Sequence, residues 1–174
     1  MRLALYCSVL LGLLVGPALA GTIDVYVIPA SQSVNISAGT ATVNLVANIP
    51  VTDPLIGWGL DLTLIGTSVT YGGALVDGFF DPAYAPDGDG LAGLAHVPPG
   101  YIDGNGIVLA TITLNLVDLG VTNLMPGYTV SDLTEGLMTP AGFATGVFHA
   151  GQIEVTPEPA ALALLGLGLL LRRR

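Results

Sequence analysis

Four stretches of the chain alternate apolar and polar residues with a period of two. Residues 22–28 put Ile23, Val25 and Val27 on one face. Residues 40–47 set Ala41, Val43 and Leu45 against Thr42 and Asn44. Residues 56–64 set Ile56, Trp58, Leu60, Leu62 and Leu64 against Gly57, Gly59, Asp61 and Thr63. Residues 107–117 set Val108, Ala110, Ile112, Leu114 and Leu116 against Thr111, Thr113 and Asn115. In a strand, neighbouring side chains point to opposite faces, so each stretch predicts a half-buried antiparallel strand. Shorter candidates are residues 68–71, 91–97, 128–130, 144–148 and 152–155. Gly and Pro punctuate the junctions, at Pro29, Gly39, Pro50, Pro54, Gly72-Gly73, Pro98-Pro99-Gly100, Gly120 and Pro126-Gly127. No window of twelve residues between the chain ends carries a helical stripe. The pattern predicts an all-β fold, a single antiparallel β-sandwich or jelly roll.

The two ends of the chain follow other rules. Met1-Arg2, an apolar run from Leu3 to Val15, the break at Gly16-Pro17 and the small-x-small pattern Ala18-Leu19-Ala20 read as a signal peptide over residues 1–20, cleaved after Ala20. Residues 21–156 form the sandwich domain. Residues 157–174 contain Pro157-Glu158-Pro159, an unbroken apolar run of residues 160–171, and Arg172-Arg173-Arg174. Two prolines keep the start of this tail extended and exposed. Glu158 favours the positive end of a following helix. The three arginines hold that helix's far end in the cytoplasm.

In that order, at the C-terminal end, these three parts resemble the PEP-CTERM sorting signal of bacteria that make extracellular polysaccharide. The resemblance covers about a tenth of the chain. It implies export machinery and recognition by an exosortase-type membrane protease. The tail's twelve apolar residues span about 18 Å of helix, against a hydrocarbon core of roughly 30 Å. Transient membrane retention through this short helix is therefore expected more than stable anchoring. A plain tail anchor without processing is the other reading. Export leads to the cell surface or the extracellular matrix.

Charge sharpens the picture of the middle domain. The chain has four basic residues, and all of them lie in the end segments: Arg2, Arg172, Arg173 and Arg174. Of the 13 acids only Glu158 lies in those segments, which leaves twelve acids and no Lys or Arg between residues 21 and 156. Nucleic-acid binding is excluded, because nothing there neutralises phosphate. The one cysteine, Cys7, lies in the signal segment, so the mature domain forms no disulfide.

The strand order from residue 22 to 118, with Gly57-Trp58-Gly59-Leu60-Asp61-Leu62, an Asp/Gly-rich middle, and Asp103-Gly104-Asn105-Gly106 leading into the strand at Ile107, resembles a cohesin-type module. The resemblance implies a jelly roll that binds protein partners or serves in surface assemblies. It carries over no partner-binding residue.

Candidate chemistry is sparse. Asp81, Asp87 and Asp89, spaced by glycine and proline, offer oxygens for calcium. The loop lacks the closing Glu of an EF-hand, and Asp-Gly pairs also make ordinary turns. No other cofactor is expected. His96 and His149 sit in strand-like sequence, far apart and without a ligand-spaced partner, which argues against zinc and against a catalytic base. No carboxylate spacing singles out a glycosidase pair. Trp58 falls on an apolar strand face and is expected in the core. One of Phe79 and Phe80 is expected outward. Tyr84 and Tyr101 are loop candidates for sugar stacking. The expectation is a non-enzymatic surface protein with a structural or adhesive role, working with extracellular polysaccharide or envelope proteins. A tethered carbohydrate- or protein-binding module is the alternative, and a secreted hydrolase the third.

Overall fold

The computed structural model describes residues 21–83, 88–96, 100–129, 132 and 134–159. The signal residues Ala18 and Ala20, the tail beyond Pro159 with Arg172, Arg173 and Arg174, and Tyr84 and Asp87 lie outside the described residues. So do both flanking helices of the expectation. Among the described residues no helix is long and apolar enough to cross a membrane.

Among the described residues thirteen strands build two sheets. They are β1 (Thr22–Ile28), β2 (Ser31–Asn35), β3 (Thr40–Ile49), β4 (Gly57–Gly59), β5 (Asp61–Ile65), β6 (Val69–Val76), β7 (Phe80–Pro82), β8 (Ala92–Ala95), β9 (Gly104–Leu116), β10 (Gly120–Gly127), β11 (Gly136–Thr139), β12 (Gly142–His149) and β13 (Gly151–Thr156). The larger sheet runs β6-β9-β3-β1-β12-β11-β4-β8-β7, the smaller β2-β13-β10-β5. The alternation read from sequence is realised in β1 and β3: Ile23, Val25, Val27, Val43 and Leu45 are buried, and Thr42 faces out. One apolar cluster takes in side chains from both sheets, from Ile23, Leu45 and Ile112 in the larger to Leu124 and Ile153 in the smaller.

Three expectations need correction. The sandwich is not purely antiparallel: β1 pairs β12 in parallel, and β13 pairs β2 in parallel. This follows from β1 and β2 each lying beside one of the chain's last two strands. The stretch 56–64 is not one strand. It breaks at Leu60, where the chain leaves the larger sheet as β4 and enters the smaller one as β5. Leu60 itself is buried between them, its N–H bonded to the Leu91 carbonyl at 2.9 Å. In β9 the register against β3 shifts between Leu45 and Val46, so that Ala110 pairs Leu45 and Val108 pairs Val46. The bulge turns Leu109 fully inward and leaves Val108 half-buried, opposite to a strict period of two.

Gly104-Asn105-Gly106, expected to precede the strand at Ile107, is itself the opening of β9. Residues 128–130 form no strand at Tyr128 or Thr129, because β10 already ends at Gly127.

Candidate functional site

The far half of the larger sheet carries an unusual outer surface. Across five strands one register row runs Asp81 (β7), Leu94 (β8), Gly57 (β4), Met138 (β11) and Phe143 (β12), each directly paired with the next. Their chain neighbours Phe80, Trp58, Leu137 and Ala144 point the other way, into the core. Trp58 meets Phe80 edge-on at 6.0 Å there. The outer row is therefore fixed in place by the buried one beneath it. It exposes three large apolar side chains, Leu94 at 52%, Met138 at 39% and Phe143 at 55%.

Glycine makes the row a groove rather than a ridge. The next row places Ala92, Gly59 and Gly136 side by side. A Cβ on Gly59 would stand 2.4 Å from the Thr134 carbonyl oxygen, so the backbone of the segment before β11 lies directly on β4. A Cβ on Gly136 would stand 2.9 Å from the Phe143 ring, and Gly136 has φ 127°, a conformation that favours glycine. The resulting hollow, about 100 Å³, is lined by Gly57, Trp58, Ala83, Leu94, Met138 and Phe143 among others.

Phe143 and Gly136 also line a larger neighbouring cavity, of about 210 Å³, with Tyr128, Thr129, Asp132, Glu135 and Ala144. This end is acidic. The Thr129 N–H donates to Glu135 Oε2, and the Thr129 hydroxyl donates to Asp61 Oδ2 at 3.1 Å. Asp132 Oδ1 accepts from the Thr134 N–H and hydroxyl at 2.8 and 2.6 Å. Those two bonds, the hydroxyl's first, hold the Asp132 carboxyl below its usual range. Glu135 is pushed up instead, first by burial and then by the nearby negative charges of Asp61 and Asp132; it also shares a hydrogen bond with Asp61. Three acids thus crowd one end of an apolar groove in a domain without a single Lys or Arg.

Of the described residues singled out from sequence, Asp81 ends the exposed row and Trp58 lines the hollow from beneath; the others lie elsewhere. Trp58 and Phe80 are core, while Phe79 is exposed. Tyr101 is exposed in its loop. Asp81 bonds His96, Nδ1 to Oδ2 at 3.0 Å, and the other ring nitrogen of His96 lies 2.8 Å from the Gly78 carbonyl. Asp81, then Gly78, raises the His96 pKa above its ordinary value. The Asp89 carboxylate accepts from the Leu91 N–H at 2.8 Å. Among the described residues no group of three His, Cys, Asp or Glu is arranged to hold a metal. His149 bonds Asp24 at 2.9 Å and stacks on Tyr26, with ring centroids 4.2 Å apart. Of the motif Pro157-Glu158-Pro159, the Pro157 carbonyl accepts from the Asn35 side-chain amide at 3.1 Å. The sequence reading did not find Leu94, Met138, Phe143 or Glu135. For the three apolar residues the only local signal is an apolar side chain at an outward strand position, which looks like core until the register is known; Glu135 is one acid among twelve.

No family model matches the chain, and no curated protein matches it. Solved structures do. The chain is similar to the seventh ScaB type I cohesin of Pseudobacteroides cellulosolvens, with a TM-score of 0.55 at 16% identity, covering 78% of this chain and 93% of that one. It is similar to the third cohesin of ScaC from Acetivibrio cellulolyticus, solved with the ScaB dockerin, with a TM-score of 0.50 at 14% identity, covering 76% and 98%. The sixth cohesin of scaffoldin B from the same organism, solved with a Cel5 dockerin mutant, gives a TM-score of 0.50 at 15% identity, covering 78% and 99%. The described domain has the β-sandwich fold of cohesin domains.

Proposed function

We propose that the chain is an exported, non-enzymatic protein-binding module with a structural or adhesive role at the cell surface. In this reading residues 1–20 direct export. The Pro157-Glu158-Pro159 tail directs the protein to an exosortase-type membrane protease, which releases it to the surface or to a polysaccharide-rich matrix. The observation that carries the binding role is the row Leu94, Met138 and Phe143, exposed beside Asp61, Asp132 and Glu135. The partner it fits presents apolar side chains next to Lys or Arg, as a docked helix or loop does. The complexes of the two Acetivibrio cohesins with dockerins favour a dockerin-like partner.

The test compares wild type with Phe143→Asp as bait against the organism's extracellular fraction, with quantitative mass spectrometry. A protein enriched by wild type and lost with Phe143→Asp supports the reading; identical profiles reject it. Sorting is read separately, from the mass of the surface protein. A C-terminus near residues 156–159 supports processing, and an intact Arg174 rejects it.

A second reading, binding of a neutral polysaccharide, is favoured by the opposite end of the larger sheet. There β9 and β3 pair Asn115 with Thr40, Thr113 with Thr42 and Thr111 with Asn44, all facing out. This hydroxyl and amide surface bears no charge, and the Tyr26–His149 stack lies at its margin. Retardation in gels cast with a neutral glucan, lost with Tyr26→Ala, is the measurement that checks it.

A further inference from the structure

Asp53 is a buried carboxylate, 7% exposed, in a domain with no Lys or Arg. Burying a carboxylate without a cation is costly. Both histidines are engaged elsewhere, His96 with Asp81 and His149 with Asp24. Among the described residues the side-chain hydrogen bond to the Asp53 carboxylate comes from the backbone nitrogen of Gly21, which donates to Oδ2. That nitrogen is held in place. The Gly21 carbonyl accepts from the Thr145 N–H at 3.1 Å, and Thr22 begins the parallel pairing of β1 with β12 opposite Thr145. A Cβ on Gly21 would stand 3.3 Å from the same Oδ2, so glycine gives the close approach. Gly21 is also the residue after Ala18-Leu19-Ala20, where the sequence predicts cleavage.

We propose that cleavage between Ala20 and Gly21 turns the Gly21 amide into a chain-terminal ammonium that forms a buried ion pair with Asp53, so that removal of the export signal completes the fold. The step is a hydrolysis. Water adds its hydroxyl to the Ala20 carbonyl carbon, the C–N bond breaks, and the Gly21 nitrogen takes a proton from water and a second from solvent at neutral pH. An amide that donates one hydrogen bond becomes a full charge at the same position, and charge-assisted bonds of this kind are roughly twice as strong as neutral ones. In a domain of twelve acids it is the one permanent amine. This inference rests on the export reading above, and the experiment separates the two.

The sign of the pH dependence follows from the pairing. An ammonium that gains a carboxylate partner on folding titrates higher in the folded state than the value of about 8 of a free terminus. Its contribution is present below that value and is lost as the pH rises through the folded one. The chain from Gly21 to Arg174, in mild detergent, is compared with the same chain carrying Ala20. The Gly21 form is expected to melt higher at pH 7, by about 3–6 °C, and the gap is expected to close above about pH 10. The gap is expected to vanish in Asp53→Asn. Equal melting at pH 7, or a gap that survives Asp53→Asn, overturns the proposal. Should Asp53→Asn fail to fold, the α-amine is titrated in the wild-type domain by NMR after ¹³C-methylation. A value above about 9 supports the pair, and one near 8 sinks it. N-terminal sequencing of the exported protein tests the cleavage alone. A start at another residue removes the cleavage between Ala20 and Gly21 and with it the proposal, whereas a start at Gly21 with an ordinary amine removes only the ion pair.

Discussion

The two outward surfaces of the larger sheet obey the same alternation and yet differ in kind. On β9 and β3 the outward positions are Thr40, Thr42, Asn44, Thr111, Thr113 and Asn115. On β8, β4, β11 and β12 they are Leu94, Gly57, Met138 and Phe143. Both surfaces rest on the same buried cluster. A β-branched polar surface needs nothing more to be at ease in water. An apolar row bordered by glycine gains by being covered. The contrast teaches that inward residues here specify the sandwich, and outward residues divide its surface by use.

The comparison breaks most sharply at Phe143. Phe143→Asp is expected to weaken partner binding at least about 30-fold, the loss of a central apolar contact. The same change should move the melting point by less than about 3 °C, since the ring points away from the core. Thr113→Asp on the other surface should leave partner binding unchanged, and titration calorimetry on both variants reads the difference. A loss of binding from Thr113→Asp would erase the distinction between the surfaces.

Gly59→Ala comes next. Its Cβ would meet the Thr134 carbonyl at 2.4 Å, and backbone cannot swing away as a side chain does. Overpacking of this sort costs about 1–3 kcal/mol, visible in urea unfolding, and the displaced segment should carry Glu135 out of position. Gly73→Ala is the control: unlike Gly59 it has a positive φ, 133°, and it has open space around its Cβ. It should cost stability without touching the site.

Glu135→Gln should act with opposite signs on stability and binding. The folded state raises the Glu135 pKa, so its ionisation opposes folding as pH rises through the folded value. The variant should melt slightly higher than wild type at pH 7, by about 1–2 °C, and match it near pH 4. Affinity for a basic partner should fall several-fold, with a weaker salt dependence. The smallest expected effect concerns calcium at Asp81, Asp87 and Asp89. With Asp81 bonded to His96 and Asp89 capping a turn at Leu91, the melting point is expected to stay unchanged in EDTA. A rise of several degrees with calcium would support the metal reading.

The strands that could be read from sequence are those where inside and outside differ in chemistry. β1 and β3 set Val, Ile and Leu against Asp, Thr and Asn, so the alternation is plain. β10 inverts that contrast. Thr122 is fully buried, its hydroxyl 2.7 Å from that of the buried Ser68, while Val121 and Met125 face out. A polar residue inside and apolar ones outside hide the strand. β4 and β5 kept a perfect alternation through Leu60, and no local signal marks the change of sheet; only long-range pairing with Leu94 and with Leu124 decides it. The site failed for a related reason. Leu94, Met138 and Phe143 meet only through a register spanning β8, β4, β11 and β12, and residues 94 and 143 are far apart in the chain. Glu135 is distinguished by Asp61 and Asp132, which the fold brings near.

The final strand, β13, sits between a parallel neighbour, β2, and an antiparallel one, β10, and ends at Thr156, opposite Asn35. A pull on the chain beyond Thr156 would run along the length of that strand. Hydrogen bonds on both flanks then carry the load together in shear, rather than opening one after another like a zip. Tension applied to the chain beyond Thr156 would therefore meet the sheet where it best resists being drawn out.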